Sequence, residues 1–454
     1  MLLKKIFAIV LFSGAAWAQT TADSTAADST KPPTALPWYD FTPRPSGRLN
    51  SLCPDSTALI ASRYVTLGDV VQDVINGGYF YNLGSSGQPV YLSLLGAPMG
   101  EMTLAFDELI LDHPLTGLAD LNTIPVESMG RAGILHAGDK PFGHLPLGTT
   151  LLVESMSIAD NPIRSQVGYR TGAGGYDDVD IRLGAKASEK LWLDLGGTIR
   201  GYNGHLWNSL YDGHQINVKL HRRLGANWLM RYLLLANEHA AQIPLPTLIT
   251  DFERVTAPLQ KEARNDHALV LRRRNDLTAV LQYTVMDSDW RDQQRAIFNL
   301  QNDVRQWRAA VEWAPLAALD WRSGIAGRAT WLHSNSWGRR ADWQAGPYSS
   351  LALKLTERLR AHARLSLEVH DDFSPQMLPE AGLFWEKDST LRATVWANRG
   401  AVFPSLQARY SKGALAWGDP NLQPATFQQL AAALERQWAN LELSGVAALR
   451  RNTA

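Results

Sequence analysis

The chain of 454 residues has a single cysteine, Cys53, so it can form no intrachain disulfide and no cysteine-built zinc site. No His or Asn signature of a thiol nucleophile stands near Cys53, and it reads as an inert residue. The chain also lacks an excess of either charge, with 44 Lys and Arg against 44 Asp and Glu. A nucleic-acid binder carries a basic surplus and a disordered acidic tail the reverse, so neither class describes this chain. Charge is sparse as well, at 19% of residues against the ~25% of ordinary soluble domains. After the first residues no run of ~18 apolar residues occurs, which excludes a membrane-spanning helix. Signatures of catalysis are missing too: there is no phosphate loop, no His-Glu-x-x-His and no Gly-x-Ser-x-Gly elbow. Asp177, Asp178 and Asp180 are too strand-like for a calcium cage and read as a solvated polar face. His362 and His370 share a face but stand ~27 Å apart along a strand, so they cannot share a metal. Glu238-His239 reads as a loop pair without a third partner. The expectation is a protein that is not an enzyme and has no cofactor and no metal site.

What is present begins with export. Lys4 and Lys5 precede the apolar stretch Ile6–Phe12, and Ala16-Trp17-Ala18 ends it with small residues at the cleavage-determining positions. Residues 1–18 thus read as a bacterial-type signal peptide, with no Cys at the cut for a lipid anchor. Residues 19–47 repeat Ala-Asp-Ser-Thr at 22–25 and 27–30 and then carry Pro32, Pro33, Pro37, Pro43 and Pro45. Such a segment cannot bury enough apolar surface to fold and reads as a disordered linker. Residues 48–158 have the texture of a compact α+β unit. Leu67, Val70, Val71, Val74 and Ile75 fall at helical spacing, with Gly77-Gly78 as the expected stop. Short strands are expected at Val90–Leu95, Met102–Phe106 and Ile134-Leu135.

Residues 159–454 change to period two. Val179, Ile181, Leu183 and Ala185 alternate with Asp178, Asp180, Arg182 and Lys186. Ala361, Ala363, Leu365, Leu367 and Val369 alternate with His362, Arg364, Ser366, Glu368 and His370. About fourteen or fifteen such segments of roughly ten residues follow one another, the length a tilted strand needs to cross a bilayer. Short turns at 188–190, 224–226, 356–358 and 387–389 alternate with longer loops at 201–213, 236–265, 287–302, 333–347, 370–380 and 398–426. That pattern predicts an antiparallel outer-membrane β-barrel rather than a soluble sandwich or propeller, whose loops need not alternate in length. Arg308, Glu312, Arg364 and Glu368 then point inward, since an Arg or Lys on the lipid face at mid-depth costs ~2–4 kcal/mol. Trp307, Trp313, Trp321 and Trp331 are expected near strand ends, as aromatic girdles.

Two stretches resemble a known family. The first runs from Leu67-Gly68-Asp69-Val70-Val71-Gln72-Asp73-Val74 through Asn82-Leu83-Gly84-Ser85-Ser86-Gly87-Gln88-Pro89, Leu104-Ala105-Phe106-Asp107-Glu108 and Leu115-Thr116-Gly117-Leu118 to Arg131. The second is Phe403-Pro404-Ser405-Leu406 followed by Gly418-Asp419-Pro420-Asn421-Leu422-Gln423-Pro424. The first is similar to the plug domain of TonB-dependent outer-membrane receptors, closest to the cobalamin-receptor type. The second is similar to a long extracellular loop late in their barrels. The resemblance implies a large β-barrel closed by an N-terminal plug, seated in outer-membrane lipid and taking up a scarce solute such as a siderophore or cobalamin. It implies a small-molecule ligand at the plug apices, placed here at Ser85, Ser86, Gln88, His113 and Thr116, and an inner-membrane TonB complex as energising partner. The linker shows no clear coupling box, and this favours the alternative of a non-transporting barrel with a structural or surface-binding role. A third option is a secreted soluble β-protein with carbohydrate-binding aromatics. Family barrels run on to twenty-two strands, and the chain closes on Arg450-Arg451-Asn452-Thr453-Ala454 without a terminal aromatic. A partial chain is therefore expected, since an unclosed barrel exposes a strand edge to lipid.

Overall fold

A computed structural model of the chain describes residues 50–51, 64–75, 78–82, 87–135, 149–155, 163–204, 208–242, 259–274, 276–291, 299–316, 320–388, 390–412, 417–438 and 441–453. The expected signal peptide and linker, together with Cys53, Gly77, Ser85 and Ser86, lie outside the described residues.

The N-terminal part is a small α+β body. Its main sheet joins β1 (Asn50–Ser51), β4 (Met102–Phe106), β5 (Leu109–Ile110), β6 (Met129–Leu135) and β7 (Thr149–Ser155) in the order β1-β6-β7-β4-β5. Strands β4 and β7 run parallel, and every residue of β4 is buried, as expected where both faces of a strand are covered. A separate hairpin pairs β2 (Gly78–Asn82) with β3 (Val90–Leu94). Helix α1 (Leu67–Val74) starts where Thr66 takes extended backbone, and the Asp69 carboxylate turns back to accept from the amides of Thr66 at 3.0 Å and Val65 at 2.8 Å. Its Leu67, Val70 and Val71 face the core, as their spacing requires. The helix ends before the glycines: Ile75 is its C-cap, and Gly78 opens β2.

Among the described residues that follow, fifteen strands form one antiparallel sheet in sequence order. They are β8 (Ile163–Gly172), β9 (Tyr176–Ser188), β10 (Leu191–Tyr202), β11 (Tyr211–Arg223), β12 (Trp228–Gln242), β13 (Leu259–Arg273), β14 (Leu277–Arg291), β15 (Asn299–Leu316), β16 (Trp321–Ser334), β17 (Gly338–Lys354), β18 (Leu359–His370), β19 (Gln376–Asp388), β20 (Leu391–Val402), β21 (Ala425–Trp438) and β22 (Leu441–Thr453). Among the described residues β8 pairs only with β9 and β22 only with β21. Both edge strands nonetheless reach the N-terminal body, through Arg170 on β8 and Arg450 on β22, so the sheet wraps around it.

The wall is apolar outside and polar inside. On β18, Leu365 and Leu367 are 50% and 41% exposed, while Arg364, Ser366 and Glu368 are 7%, 4% and 2% exposed. A soluble sheet packed on a second layer buries such leucines, whereas a hydrocarbon exterior favours the arrangement seen here. On β14 the outward residues are Leu277, Ala279, Leu281, Tyr283 and Val285, a band of about 26 Å along the strand. Beyond Val285 that face turns to Asp287 and Asp289, which marks the upper edge of the apolar band.

Several loop expectations change. The strands run further than the alternation suggested, so 333–347 is strand apart from a tight turn at 335–337, and the loop expected at 370–380 shrinks to 371–375. Glu238 and His239 belong to β12, not to a loop. Trp313, Trp321 and Trp331 do sit toward strand ends, but Trp307 lies mid-strand, opposite Tyr283, and stacks on it at 4.4 Å between ring centroids.

Candidate functional site

The inward residues of the wall seat the plug. Glu101 meets Arg450 at 2.5 Å, and that guanidinium lies 3.8 Å over the Phe427 ring. Asp107, in the two-residue link between β4 and β5, meets Lys219 at 3.1 Å and accepts from the Ser155 amide at 3.0 Å. Its neighbour Glu108 meets Arg231 at 2.6 Å. Glu127 pairs with Arg170, which also donates to the Tyr64 carbonyl at 2.9 Å. Arg264 donates to the carbonyls of Leu111 and Asp112 at 3.0 and 3.4 Å. Gln282 both accepts from the Ile110 amide and donates to the Ile110 carbonyl, each at 2.9 Å, in the manner of a neighbouring strand. In each of these plug-to-wall ion pairs the carboxylate belongs to the plug and the cation to the wall. Burial pushes the Glu101, Glu108 and Asp112 carboxyls above the usual range although each faces an arginine. Burial acts on Asp107 as well, but Lys219, Arg231 and two bonds from Ser155 hold it below that range.

Asp178 and Asp180 belong to the same zone. They were expected on a solvated face, yet they are 1% and 4% exposed, because Arg170 and Arg200 reach across them to the plug.

Above the seat, plug and wall meet at an apical junction. The plug turn from His113 to Gly117 closes with the Gly117 amide donating to the His113 carbonyl at 2.8 Å. Gly117 has φ +70°, a left-handed backbone that glycine adopts without a Cβ penalty. His113 Nδ1 accepts from the amides of Leu115 and Thr116, which leaves Nε2 to face Glu262 of β13 at 3.5 Å. Leu115 is buried with Met286, Val304, Leu332, Trp337 and Leu406. Leu406 opens α2 (Leu406–Tyr410), a short helix in the segment between β20 and β21, and the Gln407 amide donates to the Leu115 carbonyl at 3.0 Å. The segment recognised by Phe403-Pro404-Ser405-Leu406 therefore folds inward onto the plug tip.

Of the residues expected to contact a ligand, His113 and Thr116 share this turn, where the Thr116 hydroxyl accepts from the Leu118 amide at 3.1 Å. Gln88 is buried and turned toward the end of β12, donating to the Gln242 carbonyl at 3.4 Å. Ser85 and Ser86 lie outside the described residues. The cationic seat was not foreseen as a site; its only trace in the sequence is an Arg or Lys at inward parity in strand after strand. The junction residues Asp342, Asp371 and Arg409 carried no such trace.

On the wall side of the junction, β17 supplies Asp342 and β18 ends at His370. His370 Nε2 lies 2.7 Å from Asp342 Oδ1, and Nδ1 lies 2.7 Å from Asp371 Oδ1. The Phe373 and Phe403 rings flank the imidazole at 4.7 and 4.9 Å. Arg409 of α2 pairs with Asp372 and approaches Asp342 Oδ1 at 3.8 Å. Among the described residues this is the one group of three side chains whose donor atoms are close enough to hold a metal ion. His362, paired with His370 in the sequence reading, instead approaches Glu380 at 3.8 Å.

A cavity of about 790 Å³ opens at the long-loop rim beside Asp212, His214, Glu238, Asp287, Asp303 and His333. These side chains lie on the outward face of the strand ends, and no described plug residue borders the cavity. Most of its lining is on the outward face above the apolar band, and Glu262, which faces His113 of the plug, borders it as well.

No family model matches the sequence, and no curated protein is significantly similar to it. Solved structures are. A single-residue mutant of the ferric enterobactin receptor PfeA from Pseudomonas aeruginosa aligns over 87% of this chain and 70% of its own, with TM-score 0.68 and 12% identity. The FrpB iron transporter from Neisseria meningitidis (F3-3 variant) aligns over 88% of this chain and 71% of its own, with TM-score 0.72 and 9% identity. The copper transporter OprC aligns over 86% and 69%, with TM-score 0.68 and 11% identity. The likeness is one of fold: this chain has the plugged-barrel fold of TonB-dependent receptors.

Proposed function

We propose that the protein is an outer-membrane receptor of the TonB-dependent type, which binds a scarce small solute over the plug and admits it through the barrel. The observation that carries this reading is a wall with its apolar face outward and its polar face gripping a plug. A plug held by buried charges blocks passive flow, so passage requires work done on the plug, which an inner-membrane coupling complex would supply. The fold neighbours named above are described as receptors and transporters of ferric enterobactin, iron and copper. We place the plug-side ligand contacts at His113, Thr116 and Gln88, with Ser85 and Ser86, which precede Gln88 in sequence. The test is uptake of labelled ferric chelates, cobalamin and copper by cells whose only candidate receptor is this chain, with and without the coupling complex. Uptake that depends on the complex supports the proposal. Surface display without uptake of any of them would support the second reading, a non-transporting barrel, which the number of ionic contacts on the plug favours.

A further inference from the structure

We infer that residues 403–412 form a strap that competes with the solute for the plug turn, so that a solute reaches His113 and Thr116 only by displacing it. The ligand part of this inference rests on the reading above, which puts solute contacts on that turn. Where the strap lands carries the argument. It leaves the wall between β20 and β21, yet Leu406 is buried among Met286 of β14, Val304 of β15 and Leu332 of β16, together with Leu115 of the plug. It therefore reaches across the mouth rather than lying along its own side of the rim. The Gln407 amide donates to the Leu115 carbonyl at 3.0 Å, which takes up an acceptor in the middle of the turn. A Cβ on Gly117 would lie 4.0 Å from that of Ser405, so the strap touches the end of the turn as well.

The strap is held at a few points. With five residues, α2 is too short to persist in water without docking. Ser405 caps it, its hydroxyl accepting from the Ala408 amide at 3.2 Å. Leu406 and Arg409 are its two buried residues. The first fills the apolar cluster. The second pairs with Asp372, approaches Asp342 at 3.8 Å and lies 5.1 Å from the Phe373 ring centroid. Arg340 of β17 stacks on Tyr410 at 4.5 Å. Beyond residues 413–416 the chain has returned to the helix, where the amides of Gly418 and Asp419 donate to the carbonyls of Ser411 and Ala408 at 2.8 and 3.0 Å. A Cβ on Gly418 would meet the backbone of Arg409 and Tyr410 at 2.6 Å, so this return needs a glycine. None of these contacts belongs to a wall ladder, and the strap can lift while the strands keep their pairing. Because strap and solute share one turn, solute affinity falls in proportion to the fraction of receptor that is strapped.

Two measurements on the full chain carrying Cys53→Ser test this. The first needs no solute. Val304→Cys puts a thiol at a wall position with no exposed surface, in the cluster that Leu406 completes, and an impermeant maleimide reads its accessibility from outside the cell. We expect slow labelling, made about 10-fold faster or more by adding Arg409→Ala or Gly418→Val, each of which frees the strap. If one of these fails to give a heat-modifiable barrel, the other decides. Equal rates with and without them overturn the inference. The second measurement locks the strap. Gly117→Cys with Ser405→Cys brings two Cβ atoms within the ~3.5–4.5 Å that a disulfide spans. We expect the oxidised pair to take up none of the labelled ferric chelates, cobalamin or copper. Reduction should restore uptake to the level of Gly117→Cys alone, which carries the same backbone strain without the lock. Uptake that persists in the locked chain overturns the strap and leaves the receptor reading standing. If no variant takes up any of these solutes, that reading fails instead, and the labelling rates decide whether the strap covers the plug turn.

Discussion

In the plug, Leu104, Leu121 and Leu151 are fully buried; in the wall, Leu281, Leu365 and Leu383 are 43%, 50% and 48% exposed. Polar residues are buried in both, at the surface where the two meet. The plug buries its carboxylates Glu101, Glu108, Asp112 and Glu127 where it meets the wall, and the wall buries Arg264, Asp266, Gln282 and Thr284 in one mutually bonded cluster on its inner face. The residue types are the same, and what differs is the medium beyond the backbone. The plug excludes water from its centre. The wall excludes nothing from its outer face and must instead satisfy every polar atom within. The two regions meet at the ion pairs of the seat, which belong to neither core alone.

The comparison breaks most sharply at that boundary. Arg231→Met removes the partner of Glu108 and leaves a buried charge alone, which should cost ~3–5 kcal/mol of plug retention. Adding Glu108→Leu should recover most of the loss, as read by urea unfolding in detergent with a fluorophore on the plug. Within the plug, Leu104→Ala should cost ~2–5 kcal/mol, because packed surroundings leave a cavity. The same truncation at Leu281 should cost far less, since lipid fills the space; parallel denaturation of the two variants checks this. Leu281→Arg reverses the rule for the wall and should cost ~2–4 kcal/mol, measured by reversible folding into bilayers.

A smaller effect is titratable. Burial pushes the Asp120 carboxyl up to about 6, although the amides of Asn122 and Val90 donate to it. A carboxyl raised above its unfolded value near 4 favours the folded plug while protonated, so its contribution is full below pH ~4 and is lost as pH rises through 6. Asp120→Asn keeps an oxygen for both amides, and its plug stability should vary less between pH 4 and 6 than the parent's. Smallest of all, Lys354→Ala breaks only the exposed pair with Glu357 and should leave unfolding unchanged within error.

Much of this architecture was legible. Period two in segments such as 361–370 announced both the strands and which face was apolar, because side-chain direction in a strand follows residue parity alone. The helix from Leu67 was legible from its spacing, but its end was not. Glycines are frequent stops, and here the chain turned at Ile75 before reaching them. Loop lengths were overestimated near 333–347 because polar residues such as Arg339 and Asp342 resemble a loop, whereas on a strand above the apolar band they are simply solvated or inward.

The sequence by itself determined the alternation, the apolar band and therefore the medium the wall can face, since these depend only on which residues stand at odd and even positions. Only the tertiary structure decided which charge meets which. Glu101 and Arg450 lie 349 residues apart in the chain, and Asp342, His370 and Arg409 come from three separate elements. Pairings of that kind depend on strand register and on how the sheet curls around the plug. Those follow from the sum of all contacts and leave no mark at any one position.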